Sequence, residues 1–168
     1  MGVEELLDEE AFDPKKLFNE EEYSTLIIGR EGLSKKENTT ADLLEALLEP
    51  NITRQESEDI FLKLKEANAQ KMMVDAIGAA EKTSEKTALA AACWESGLDF
   101  SDYFMDFVDL TLHNDFQLAL EALSVIESSE GVQTEQTLTK ALILAQSSKS
   151  KNPDLVNDLV QNLKSRIA

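Results

Sequence analysis

Cysteine is nearly missing from this chain. Cys93 stands alone, so no internal disulfide can form, which fits a reducing compartment. Glycine (6) and proline (3) are scarce as well. Both serve the frequent tight turns of all-β folds, so their scarcity argues against one. There is a single histidine, His113. A Ser-His-Asp constellation with histidines to spare is excluded, and no HExxH zinc motif, Cys pair or phosphate-cradling glycine loop occurs. Gly29-Arg30-Glu31-Gly32 is not a GxGxxG fingerprint and lacks its strand–helix setting. No apolar run approaches the roughly 18 residues that a membrane span requires. The start, MGVEELLDEE, is acidic and has no apolar stretch of the signal-peptide kind. Leu6 fills the position where a myristoylation signal wants Ser or Thr. A cytoplasmic protein is the expectation. The sequons at Asn38 and Asn51 carry no weight without a secretory signal.

Positive charge is also in short supply. Sixteen Lys and Arg face 33 Asp and Glu, a formal net charge of −17. Such a surface repels phosphate backbones and anionic lipid, so neither nucleic acid nor a membrane surface is expected as partner. Excess acid also serves plain solubility. What the chain does have is length, apolar content and helix formers. Its 168 residues, 42% of them hydrophobic, suffice for one domain with a core. Ala, Leu, Glu and Lys are abundant, and all favour helices.

Residues 1–37 read as a less regular N-terminal cap. VEELLDEEAF is a short helical piece stopped by Asp13-Pro14. NEEEYSTLIIG follows with Asn19 as N-cap and acids in its first turn. From residue 38 the pattern becomes regular. Leu43, Leu44, Leu47 and Leu48 share one helical face, which Pro50 ends. Ile60, Phe61 and Leu64 mark the next helix; Met72, Met73, Ile77 and Ala80 mark the one after. Further helices are expected to start at Ser84, Ser101, Asn114, Thr134 and Asn152, the last with Pro153 at the first helical position. Gly97 suits a left-handed C-terminal cap.

These helices are joined by short connectors, which make neighbours run antiparallel. Ala88-Leu89 and Ala91 return as Ala119-Leu120 and Ala122, an offset of 31. The alanine–leucine helix 87–94, the connector Gly97-Leu98-Asp99 and the pair ending in ALEALSVIES together resemble the HEAT and armadillo class of helical repeats, most clearly over residues 84–130. About eight to ten helices are expected, and the resemblance implies that they form a right-handed α-solenoid with a role in protein–protein scaffolding along an extended surface. The period is shorter than usual for that class, and no proline or arginine recurs at a fixed place. An irregular helical bundle of the same helices is the alternative.

One helix stands out. In SDYFMDFVDLTLH, Asp102, Asp106, Asp109 and His113 fall at i, i+4, i+7 and i+11, one stripe at 100° per residue. Tyr103, Phe104 and Phe107 flank it on one side, Met105, Val108 and Leu112 on the other. A helix apolar on both flanks is covered on both, so the stripe is what stays wet. Nothing obliges a wet stripe to be acidic. Yet no Lys or Arg occurs from Thr87 to Thr139, while ten acids do, Asp99 among them. Like charges one turn apart cost a few tenths of a kcal/mol per pair. Asp99, Asp102, Asp106, Asp109 and His113 are therefore candidate contacts for a basic protein partner. Trp94, the lone tryptophan, is either core or a further anchor of that interface.

Other chemistries fit poorly. One histidine cannot furnish the Glu-x-x-His pairs of helical di-iron sites, and the glycine-bearing calcium loop is absent. Wet carboxylates do not have the separated pKa values that acid–base catalysis needs. Cys93 has Glu95 beside it, which disfavours a thiolate, so a buried structural cysteine is expected. The sequence is thus read as an all-α interaction module, not an enzyme, with no cofactor and no metal. The competing readings are an enzyme with a carboxylate-lined pocket between helices, and a holdase with a large exposed apolar patch. Partner identity and oligomeric state are left open.

Overall fold

The computed structural model describes residues 39–168. The readings made for residues 1–37 lie outside them. Thr39–Ala168 forms one compact unit. Among the described residues there are eight α-helices and no strand: α1 (Thr40–Leu47), α2 (Arg54–Glu66), α3 (Gln70–Ala79), α4 (Thr83–Glu95), α5 (Phe104–His113), α6 (Phe116–Ser128), α7 (Glu135–Gln146) and α8 (Pro153–Ile167). The all-α expectation holds. None of these helices is long and apolar enough to cross a membrane.

Helix starts follow local chemistry. Thr39 with Asp42 and Thr53 with Glu56 close reciprocal capping boxes on α1 and α2. Thr134 accepts from the Thr137 N–H at 3.1 Å, as its sequence position predicts. Asn152 and Pro153 open α8 as expected, though the Asn152 side chain makes no capping bond. Three expected starts move. α4 begins one residue before Ser84, behind Lys82, whose ammonium lies 3.4 Å from Glu85. At α6 the cap is Asp115, not Asn114. The Asn114 amide is drawn back to the Leu110 carbonyl (3.0 Å), while Asp115 accepts from the Leu118 N–H (3.0 Å) and sets a carboxylate against the helix dipole. Ser101 opens a 3₁₀ turn, Ser101–Tyr103, and α5 proper starts at Phe104.

Consecutive helices pack as hairpins, α1 on α2, α3 on α4, α5 on α6 and α7 on α8. Alternate helices also touch: α4 on α6, α6 on α8, α1 on α3 and α5 on α7. α6 is central, and its Leu118, Ala119, Ala122, Leu123, Val125 and Ile126 are all buried. A continuous core runs from Leu43 to Leu163. Phe100 and Phe107 meet edge to face within it, centroids 5.6 Å apart.

The burial pattern corrects the offset of 31. That offset pairs exposed Ala88 with buried Ala119, and buried Leu89 with exposed Leu120. At an offset of 33 the buried faces coincide: Leu89 with Ala122, Ala90 with Leu123, Ala92 with Val125, Cys93 with Ile126 and Ser96 with Ser129. A slip of two residues turns a helix by about 200°, so a likeness of letters at 31 sets opposite faces against each other.

Side chains tie the connectors across neighbouring hairpins. Ser101 Oγ donates to Asp99 Oδ1 at 2.6 Å and accepts from the Gly131 N–H at 2.8 Å. Gln133 donates to the Ser101 carbonyl at 2.7 Å. At the other edge Asn152 donates to the Asn114 carbonyl at 3.1 Å. Arg166 of α8 donates to the Ile126 and Ser129 carbonyls at the end of α6 and stands 5.6 Å over the Phe104 ring. A cation at a helix C-terminus is favourably placed against the dipole.

Candidate functional site

α5 is held on several sides. It packs on α6, α7 and α8, and Phe104, Phe107, Val108, Thr111 and Leu112 are buried. Tyr103, Met105 and Leu110 are half-buried. Thr111 satisfies its hydroxyl on the Phe107 carbonyl at 2.8 Å. The stripe left over is the acidic one. Asp102, Asp106, Asp109 and His113 are all exposed. Asp102 belongs to the 3₁₀ turn and the other three to α5.

Asp109 and His113 form an i, i+4 pair, Oδ1 to Nδ1 3.0 Å, with side chains 72% and 65% exposed. The other ion pairs among the described residues join Arg54 to Glu58, Lys71 to Asp75 and Lys82 to Glu85, all before Thr87. No Lys or Arg pair among them neutralises the strip.

Asp99 sits apart, in the connector ahead of α5. The Ser101 hydroxyl holds its carboxyl below the usual aspartate range, with backbone N–H groups of Ser101, Gly131 and Glu130 adding to the effect. Its hydrogen bonds place it in the tie between connectors, whereas the other three aspartates face outward.

Trp94 lies at the end of α4, 39% exposed. Its indole N–H donates to Glu121 of α6 at 2.7 Å. Glu95 beside it is raised above the usual glutamate range, by burial first and by the Glu121 charge second. Trp94 is thus neither wholly core nor free: its polar edge pins α4 to α6, and part of its ring faces out. Phe116 (55% exposed) and Leu120 (40%) are further exposed apolar side chains on α6. Cys93 is fully buried, and desolvation alone drives its thiol pKa far up. The expected role for Cys93 stands, but burial is the cause rather than the neighbouring Glu95.

Residues that the sequence did not single out complete the site. α3 and α5 pack on each other less than the neighbouring pairs α1–α3 and α5–α7 do. Between them lies an open groove of about 310 Å³. Val74, Ile77 and Gly78 of α3 line one wall, and Met105, Phe107 and Leu110 of α5 the other, with Asp106 and Asp109 contributing from the strip. Ile77 and Phe107 are buried, while both aspartates remain exposed. The carboxylates therefore border an open apolar groove and do not converge in a closed cavity; Asp102 is not part of its lining. Among the described residues, no three His, Cys, Asp or Glu side chains gather as a metal site would require.

Compared with known proteins, the chain matches no family model, no curated protein and no solved structure.

Proposed function

We propose that this chain is a protein-interaction module that presents the acidic side of α5 to a basic partner, on a scaffold built like a short HEAT or armadillo solenoid. The observation that carries the reading is the exposed pair Asp106 and Asp109 on α5, a helix otherwise committed to packing, continued by Asp102 of the 3₁₀ turn ahead of it, with no Lys or Arg paired to them among the described residues. Acids held on a braced helix and on the turn that leads into it project a negative field, which steers cations and speeds encounter. The alternate-helix contacts and the burial register of 33 support stacked helical hairpins. The open groove supports binding over acid–base chemistry, which wants carboxylates gathered in a dry pocket.

The test is capture of partners from the native cell at low salt, followed by kinetics on the captured protein. Reversing Asp102, Asp106 and Asp109 to Lys should slow association markedly while the far-ultraviolet circular dichroism stays helical. Association with the unaltered chain should also weaken as salt rises, because the Debye length shrinks to about 8 Å at physiological ionic strength. A triple reversal that folds and binds at the original rate refutes the role of the strip.

A further inference from the structure

We infer that the α3–α5 groove is the seat of the partner, and that the partner docks there as one amphipathic helix carrying Lys or Arg beside its apolar face. The inference rests on the preceding reading of a basic partner and adds the docking place and the form of the ligand. Three observations carry it.

The first is charge complementarity around an apolar floor. Asp106 and Asp109 line the groove together with Ile77, Val74, Met105 and Leu110. Apolar anchors would enter between the helices while cations one turn away reach the two carboxylates. This is helix-in-groove recognition, read out by anchors at i, i+3 or i+4. The second is length. Val74 to Gly78 and Met105 to Leu110 each cover little more than one helical turn. One or two anchors fit, not a long coiled-coil seam.

The third is Gly78. It lies inside α3, where glycine is less favourable than alanine by about 1 kcal/mol. Its φ is not positive, since Gly97 is the glycine so marked among the described residues. A Cβ built at Gly78 meets nothing within 4 Å. Neither backbone conformation nor packing within the unit calls for glycine there. A bare glycine leaves room there for another backbone to come close. With a bare glycine on one wall, the axis of a docking helix can come nearer to α3 than any side chain would allow.

The experiment uses the full chain and two synthetic peptides. One is an amphipathic helix with leucine at i and i+4 and lysine elsewhere. The other has the same lysines and serine in place of each leucine. Affinities are measured by fluorescence anisotropy, and methyl NMR maps the amphipathic peptide on the unaltered chain. The expected result is tighter binding of the leucine peptide, with shifts at Val74, Ile77, Met105 and Leu110. Gly78→Leu, which fills the groove without changing charge, should weaken the leucine peptide by about tenfold or more, the worth of one lost buried anchor. It should leave the serine peptide unchanged. The double variant Asp106→Asn, Asp109→Asn should weaken both.

Equal binding of the two peptides, or methyl shifts centred elsewhere, overturns groove docking while leaving the acidic face intact as a binding surface. Indifference of both peptides to the Asp106 and Asp109 substitutions overturns the reading of the acidic face itself. Should Gly78→Leu fail to fold, the methyl map on the unaltered chain decides alone.

Discussion

Gly131→Ala should destabilise the protein by about 2 kcal/mol, although a glycine-to-alanine change often does the reverse. A Cβ at position 131 would stand 2.5 Å from Ser101 Cβ and closer still to Ser101 Oγ. No rotation of the hydroxyl relieves contact with Cβ, so the connector before α5 must shift. Two hydrogen bonds go with it: Gly131 N–H to Ser101 Oγ at 2.8 Å, and Ser101 Oγ to Asp99 at 2.6 Å. The first is worth about 1 kcal/mol, and the second about 1.5–3 because its acceptor is charged. Partial replacement by water reduces the sum. The smaller freedom of the unfolded alanine chain returns about 0.4–1 kcal/mol, leaving a net loss near 2. Urea unfolding measures it. With a slope of about 2 kcal/mol per molar, the midpoint should fall by about 1 M at unchanged slope. Ser101→Gly removes both the colliding atoms and the two bonds. Adding Gly131→Ala to it should therefore cost nothing further, a non-additivity that a double-mutant cycle detects. An unmoved midpoint for Gly131→Ala alone would mean that the tie between connectors holds nothing in place, and the account of how α5 is positioned would fail with it.

Other outcomes follow from single features. Gly97 has φ +68° at the end of α4, so Gly97→Ala should cost about 1–2 kcal/mol and Gly97→Asn less, by the same urea assay. Cys93 is buried with its thiol pKa driven upward; a thiol reagent should label it only as fast as the fold opens, and prompt labelling at neutral pH would contradict that burial. Asp99 has a folded-state pKa below its unfolded value. Its contribution is therefore present above the ordinary aspartate range near 4 and is lost as pH falls through the lower folded value. Asp99→Asn should remove that part of the acid limb of a stability–pH curve, and a curve identical to that of the unaltered chain would show Asp99 to be uncoupled from folding.

The fold was legible where local chemistry decides it. Leu43 and Leu44, Ile60 and Leu64, and Met73 and Ile77 each keep the helical spacing read from the sequence, and each is buried. Gly97 and Thr134 act in the positions where they were expected. The misreadings fall where two residues compete for one role. Asn114 and Asp115 can both cap a helix; the choice was settled by the Leu110 carbonyl one turn back, which takes the amide and leaves the N-terminus to the carboxylate. The repeat was similarly half-readable. Alanine and leucine recur on both faces of α4 and α6, so a match of letters could not tell the buried face from the exposed one.

The site divides along the same line. Three aspartates among packed apolar residues form a one-dimensional pattern; the exposure of Asp106 and Asp109 follows from the helical period, and Asp102 is exposed in the 3₁₀ turn before α5. The groove beside them has no such pattern. It lies between α3 and α5, which pack on each other less than the neighbouring pairs do, and that packing is a property of the stack, carried by residues far apart in the chain. Of the two groove-lining residues Val74 and Met105, the first belongs to no pattern in the sequence and the second reads only as a flank of the strip. Gly78 stands in no pattern of the sequence, and its empty surroundings belong to the folded stack. Charge placed along one helix can be read from a string of residues. The cavity that gives this charge a docking place needs two helices and the distance between them.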